Sequence, residues 1–331
     1  MTAGRTEPRT ATPGTAGAPA SRSSAADPLG PAAPAGDPTA VSPEAVRAWC
    51  ALVTGAVRPA QERGRWRRGT TGELSEEPGH PRLVARLRSW IYRDVHLAGD
   101  PEPPDTRTDS AALALLTELA AGTWPDGGWD VRGADGTGVL AEKRGVRLRM
   151  PEADVDHRPD GTAVLRLPRA RPGALFGWFG YTGPNGPALR PRARLYLHLP
   201  SLTDRKVLGA VLEALERLDA PWQAKAAIRG TARPRPDSFV LYLDAADTGR
   251  TVEALRDSGL PETLVDAVPG FSTRVARGTG LAVHPPGLTA GSFGAGLADL
   301  FARSLAAHGT DGLDARILAA LAGPAEGGPT P

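Results

Sequence analysis

Hydrophobic periodicity first changes near residue 125, and that change limits the folds open to this chain. Before it, apolar side chains recur every three or four residues, the spacing that lines one face of a helix. Val46, Trp49, Cys50 and Val53 form the first such stripe. Ser42-Pro43-Glu44 leads into it, with Ser42 placed as N-cap and Pro43 at the first helical position. Leu83, Leu87, Trp90, Ile91 and Val95 form a second stripe over His80–Leu97, and Leu113, Leu115, Leu116 and Leu119 a third over Asp109–Ala121. Arg58–Gly79, polar and rich in Arg, Gly and Glu, is expected as a loop or a poorly ordered insertion.

Beyond Gly128 the pattern alternates in short runs separated by turns. Trp129–Val131, Gly138–Leu140, Val146–Leu148 and Val164–Leu167 are expected as hairpin strands. Further strands are expected at Phe176–Tyr181, Arg194–Leu199, Trp222–Ile228, Ser238–Leu243, Phe271–Ala276 and Gly280–Val283. Helices are expected at Asp204–Leu218, at Thr248–Ser258 with Thr248 as cap, at Leu297–His308 and at Asp311–Leu321. Helices first and a strand-rich region after them give an α+β fold, with an N-terminal helical subdomain followed by a mixed, mainly antiparallel sheet with flanking helices. Residues 1–42, made of Ala, Pro, Gly, Thr and Ser with scattered charges, cannot bury enough apolar surface to offset their ordering entropy and are expected as a disordered tail. The expected divisions are 1–42, a helical subdomain over 43–125 and a catalytic α+β domain over 126–325.

Composition removes several classes of function. The 39 basic and 37 acidic residues leave a net charge of +2, so a concentrated basic surface for nucleic acid or membrane is not expected. The single Cys50 leaves no internal disulfide framework and no multi-cysteine metal site. No apolar run reaches the length of a membrane span, and the first residues carry no apolar signal-peptide core, so a cytoplasmic protein is expected. Glycine-rich nucleotide loops, a GxSxG elbow and HExxH are absent, and the six histidines have no ligand spacing. Neither metal nor cofactor is expected.

The C-terminal half carries short, chemically dense strings. Arg194, Tyr196 and His198 alternate along one strand and share a face, as do Gln223 and Lys225 on another, with Trp222, Ala224 and Ala226 turned to the core. Such a stripe is also the ordinary appearance of a solvated antiparallel sheet. Lys225 shifts the balance: only three of the 39 basic residues are lysines, and this one lies in an apolar strand. Arg235 beside Asp237 reads either as an ion pair or as an anion site, and Tyr242 as a core or a site residue.

The order of these strings resembles a known family. Trp-Pro-Asp-Gly-Gly-Trp at 124–129, Pro-Gly-Ala-Leu-Phe-Gly-Trp-Phe-Gly at 172–180, the Arg194–Pro200 strand, Pro-Trp-Gln-Ala-Lys at 221–225, Arg-Pro-Asp-Ser-Phe-Val-Leu-Tyr at 235–242 and the late Ser-Phe-Gly at 292–294 together resemble the HopA family of type III-secreted effectors. Within it they look most like the branch encoded with actinobacterial peptide-modification pathways. The resemblance implies a phosphoserine/phosphothreonine lyase that works beside a phosphotransferase-like kinase on a precursor peptide. It eliminates phosphate to leave dehydroalanine or dehydrobutyrine, as in lanthipeptide and thioamitide biosynthesis.

That reaction requires a base for the α-proton, cations for the phosphate and a proton donor for the leaving group. Lys225 is the expected base, as a neutral amine. Arg194, Arg235 and Arg274 are the expected phosphate ligands, converging on one anion, with Asp237 and Tyr242 beside the substrate. Tyr196 or His198 is the expected acid, while His284 carries little weight. The alternative implied by the same resemblance is a non-catalytic scaffold that holds the kinase or a leader peptide.

Overall fold

The computed structural model describes residues 41–60, 65–75, 80–98, 107–229, 235–288 and 291–323. Apart from Val41 and Ser42, the expected tail lies outside the described residues, as do Arg233 and Pro234. Helix α1 (Pro43–Ala56) starts as its sequence dictates, with the Ser42 hydroxyl accepting the Ala45 N–H. Strands β1 (Val57–Pro59) and β2 (Trp66–Arg68) then pair within the stretch expected as a loop. Polar composition hid this hairpin, because Trp66 and the Arg68 side chain are buried in spite of it.

Helix α2 (His80–Ile91) runs on into a π-helical turn, Tyr92–His96. Such turns occur as single insertions that re-aim side chains, often at functional sites. Helix α3 (Ser110–Leu119) is capped by Asp109. The hairpin region is one five-stranded antiparallel sheet in the order β5-β4-β3-β7-β6. Its strands are β3 (Thr123–Asp135), β4 (Gly138–Lys143), β5 (Val146–Met150), β6 (Val155–His157) and β7 (Thr162–Pro168). Around Trp129, Val139 and Leu165 it keeps a small core of its own.

The principal sheet contains β8 (Ala170–Leu175), β9 (Trp178–Thr182), β10 (Ala193–Leu197), β11 (Gln223–Ala227), β12 (Phe239–Leu243), β13 (Thr273–Ala276) and β14 (Thr279–Val283). These seven strands are antiparallel throughout, in the order β13-β14-β10-β12-β11-β9-β8. The helices between and after them are α4 (Arg205–Glu216), α5 (Thr248–Asp257), α6 (Phe293–His308) and α7 (Leu313–Ala322). Thr248 lies inside α5 rather than capping it, and α6 begins four residues before its expected start, at Ser292-Phe293. Gly294 and Gly296 dilute the apolar pattern there and hide the first turn.

Alternation splits the sheet into two chemically different faces. One face, with Leu195, Leu197, Phe239, Leu241, Ala224 and Phe179, buries against α3, α4 and α5. The other is covered over part of its area by α1, α2, α6 and α7, which meet Tyr196, Val240 and Ala282. Val46, Leu87 and Trp90 from the N-terminal helices thus share one core with Phe301 and Ile317 from the C-terminal ones. The boundary expected at 125/126 does not coincide with a division of this core.

A buried ion pair fixes the π-helical turn. Arg68 Nε donates to Asp94 Oδ2 at 2.6 Å and Nη2 donates to Oδ1, with both side chains almost fully enclosed. The bidentate fork ties the β1–β2 hairpin to the turn that carries Tyr92 and His96. Replacing Asp94 with Ala leaves Arg68 only the longer, more exposed contact with Glu73 at 3.7 Å and is expected to cost about 1–3 kcal/mol in urea unfolding. The double change Arg68→Met with Asp94→Leu removes both charges and is expected to recover most of that loss. A single-variant loss below about 1 kcal/mol would show that the pair behaves like an exposed one.

Candidate functional site

Lys225 sits mid-strand on β11, opposite Val240 of β12 and Gly180 of β9. Directly paired residues share a face, so Tyr196, Val240 and Lys225 form one row and Arg194, Tyr242 and Gln223 the next. Gly180 presents no side chain beside Lys225, and Trp178, one pleat further along β9, fills that side. Lys225 Nζ lies 4.1 Å from the centroid of the Trp178 ring and 5.8 Å from that of Tyr242. Among the described residues no carboxylate reaches it. The sharp turn at Gly177 (φ +79°) presents Trp178, and a Cβ there would press 2.6 Å from the Arg229 side chain.

These residues floor a cleft of about 240 Å³. Its walls come from the π-helical turn (Tyr92, His96), the segment before β12 (Arg235, Asp237) and the start of α6 (Ser292, Phe293, Gly294). A larger depression of about 580 Å³ at Leu189, Arg190, Arg192 and Asp244 is shallow and gathers no comparable set of convergent groups.

The two arginines of the cleft differ in charge balance. Arg235 is clasped by Asp237, Nε to Oδ1 at 2.8 Å and Nη2 to Oδ2 at 3.0 Å, and its Nη2 also donates to the Tyr92 hydroxyl at 3.4 Å. That pair is nearly neutral as a unit. Arg194 has only uncharged partners: Nη1 donates to His284 Nδ1 and Nη2 to the Gly291 carbonyl, each at 3.3 Å. Its guanidinium lies 5.5 Å from the centroid of the Tyr242 ring. His284 bonds the Leu288 carbonyl through Nε2 at 2.8 Å, which places the proton on Nε2 and leaves Nδ1 to accept from Arg194. Burial lowers the His284 pKa and keeps this tautomer uncharged. His284, expected to matter little, is thus the residue that aims Arg194.

Sequence reasoning missed His96 and Tyr92. His96 is 2% exposed, stacked on Phe271 and edge-on to Tyr196. Among the described residues neither of its ring nitrogens has a hydrogen-bond partner. Burial pushes its pKa down to about 4, so the ring is neutral at pH 7. Burial pushes Tyr92 up to about 12, and Tyr196 higher still, so both phenols keep their protons. The signal for His96 was its place one turn beyond the Leu87–Ile91 stripe, which reads as core until the π-helical insertion turns it towards the sheet.

Of the residues expected at the site, Lys225, Tyr196, Arg194, Arg235, Asp237 and Tyr242 meet in this cleft. Arg274 does not. It lies on the edge strand β13, four ladder steps or roughly 19 Å from β11, where its half-exposed side chain pairs with Asp266. The expected convergence of three arginines therefore reduces to two. His198 follows the end of β10, where its N–H donates to the Gly278 carbonyl and its carbonyl accepts from Val265, and it does not line the cleft. Among the described residues no cluster of His, Cys, Asp and Glu could hold a metal ion, and no helix is long and apolar enough to cross a membrane.

Comparison with known proteins finds a family model that matches part of the chain. The model of the HopA1 effector protein family matches residues 168–323, which include the seven-stranded sheet and α4 to α7. Two solved structures of effector proteins overlap with the chain. One, from Pseudomonas syringae pv. tomato strain DC3000, is 17% identical, covers 71% of this chain and 84% of its own, and has a TM-score of 0.35. The other, from Pseudomonas syringae pv. syringae strain 61, is 16% identical, covers 67% and 88%, and has a TM-score of 0.36. At those scores neither overlap bears on the site. No curated protein matches the chain.

The neutral state of His96 has a measurable consequence. Its folded pKa lies below the unfolded value of 6.5, so the unfolded chain binds more protons between the two. The contribution is fully present above pH 6.5 and is lost as pH falls towards 4, with a ceiling on the order of 3 kcal/mol. Urea unfolding at pH 7 and pH 4.5 is expected to show a smaller drop for His96→Gln than for the parent. Equal drops would show that His96 is not buried neutral.

Proposed function

We propose, for a chain whose residues 168–323 match the model of the HopA1 effector protein family, that the cleft is the active site of a lyase that eliminates phosphate from phosphoserine or phosphothreonine in a peptide. The observation that carries this reading is the pairing of an amine free of carboxylates, Lys225, with a guanidinium free of carboxylates, Arg194. Both lie against the Tyr242 ring in one cleft. A β-elimination needs a base and an anion site that are separate but separated by only a few bonds, and this arrangement supplies them.

The chemistry is one proton removed and one bond broken. The Lys225 amine takes the α-proton, the Cα–H electrons become the Cα=Cβ bond, and the Cβ–O bond breaks with its electrons going to phosphate. Arg194 stabilises the developing charge on the departing oxygens. A proton for the leaving group comes from a neighbouring neutral donor, for which Tyr196, Tyr92 and His96 are all within the cleft. Each keeps its proton or its neutral form at pH 7, so none competes with the substrate as an anion. Tyr196 is retained from the expected acids, while His198, outside the cleft, has no part in this scheme.

Next to the Gly177 turn stands an exposed aromatic side chain that would receive the peptide. Phe176, 85% exposed, precedes the Gly177 turn that carries Trp178, and the Arg229 guanidinium lies 3.6 Å from its ring centroid. Exposed aromatic groups beside a polar cleft suit an extended peptide with apolar side chains. In this reading the substrate is a precursor peptide phosphorylated by a separate Ser/Thr kinase that works with this chain, as in lanthipeptide-type biosynthesis.

Incubation with a phosphothreonine peptide, followed by mass spectrometry, tests the reading: the expected product is the peptide lighter by phosphoric acid. Lys225→Ala and Lys225→Arg are both expected to lower the rate by about 10²–10⁴, since a general base is worth that much and arginine stays protonated. Full activity in Lys225→Arg would remove Lys225 as base. No product with any phosphopeptide, together with tight binding of the unphosphorylated peptide, would favour the scaffold alternative.

A further inference from the structure

The start of α6 lines the cleft, and the string Ser292-Phe293-Gly294 there has so far been given no role. The Ser292 hydroxyl accepts from the Ala295 N–H, and its carbonyl accepts from the Gly296 N–H. Helix geometry leaves the Phe293 and Gly294 N–H groups without an intrahelical acceptor. α6 is 16 residues long, and its positive dipole end lies at these two amides. Both residues line the cleft.

Three further observations point to an anion here. His96, enclosed and without a hydrogen-bond partner among the described residues, lines the same cleft. The Cδ2–Nε2–Cε1 edge of its ring is so close to Gly294 that a Cβ there would lie 2.3 Å from Nε2. Glycine at 294 is thus required for the imidazole to meet the helix start. Arg194 is anchored by Gly291 and His284, on the segment leading into α6, and carries a charge that no carboxylate balances among the described residues. The other arginine of the cleft is already neutralised by Asp237.

We propose that the first-turn amides of α6, the Arg194 guanidinium and the His96 imidazole form the seat of a phosphate monoester dianion, and that the Arg235–Asp237 pair does not ligate it. This rests on the phosphopeptide reading above and says where in the cleft the phosphate lies. Backbone N–H groups at a helix start recognise phosphate without a counter-charge of their own, Arg194 supplies the charge, and His96 donates one ring N–H. From that seat the Cβ–O bond leads back past Tyr242 towards Lys225, three bonds separating phosphorus from Cα.

The test uses the full chain carrying Lys225→Ala, which should bind phosphopeptide without consuming it. Arg194→Gln and His96→Phe in that background are each expected to weaken phosphothreonine-peptide binding at least tenfold by calorimetry. Affinity for the unphosphorylated peptide should stay within twofold, and the edge-strand variant Arg274→Gln should match the parent. Phosphopeptide affinities within twofold of the parent for both cleft variants, with normal thermal unfolding, would overturn the seat.

A second arm needs no cleft variant. The Phe293 and Gly294 amide resonances of the parent chain are expected to shift on adding inorganic phosphate or the phosphopeptide. A shift with the peptide alone would assign the seat to the ester, a shift with both to the phosphate group itself, and silence with both would overturn it. The two readings separate cleanly. Amide shifts without dehydrated product would leave the seat standing and remove the lyase. Dehydration at the parent rate in Arg194→Gln and His96→Phe with Lys225 restored would keep the lyase and remove the seat.

Discussion

Partial cover on one face of the seven-stranded sheet is the constraint on which the rest of this structure depends. A sheet of this size must bury both faces or leave one wet. The face over α4 closes completely with aliphatic and aromatic side chains. The other closes only where α1, α2, α6 and α7 reach it, over Tyr196, Val240 and Ala282. Where that cover stops, at Lys225, Tyr242 and Arg194, the same strands that carry the core also carry a rigid floor of charged and aromatic groups. Side chains on strands of a packed sheet hold their positions better than those on loops. The core on the far face therefore also sets the geometry of the cleft.

Charge inside the cleft is sorted by its partners. Asp237 removes Arg235 from competition for an anion, and Arg235 donates to the Tyr92 hydroxyl, which ties the pair to the π-helical turn. Arg194 meets only a neutral imidazole and a carbonyl. A half-buried cation held by neutral groups retains its field, because no carboxylate among the described residues pairs with it. The buried Arg68–Asp94 pair anchors the backbone of the same turn, which presents Tyr92 and His96. Three ion or dipole contacts, one for each wall, thus fix the cleft without filling it.

Much of this was legible in the sequence, for physical reasons that can be named. Alternation placed Lys225 on the face opposite Trp222, Ala224 and Ala226, and put Arg194 and Tyr196 together on one side of another strand, since period 2 leaves no freedom there. The α+β class followed from helical spacing alone before residue 125 and a mixture of strand and helix spacing after it. Alternation says nothing about which strands are neighbours, however, so Arg274 could be assigned to the correct face and still lie four strands from Lys225. His198 failed for a related reason: it continues the alternation of Arg194 and Tyr196 beyond the last paired residue of β10. The walls were hidden in other ways. The π-helical turn lies beyond the last regular turn of α2, so the apolar stripe gave no reason to single out His96, and glycines at 294 and 296 obscured the first turn of α6.

A structure of the Lys225→Ala chain with a phosphothreonine peptide bound is the measurement that bears most directly on the cleft as an elimination site. The expected result places the phosphoryl oxygens within hydrogen-bond distance of the Arg194 guanidinium, with the Cα–H bond directed at the space left by the Lys225 amine. A peptide lying along the five-stranded sheet or over α4, or one seated in the cleft with its Cα beyond hydrogen-bond reach of that space, would contradict it.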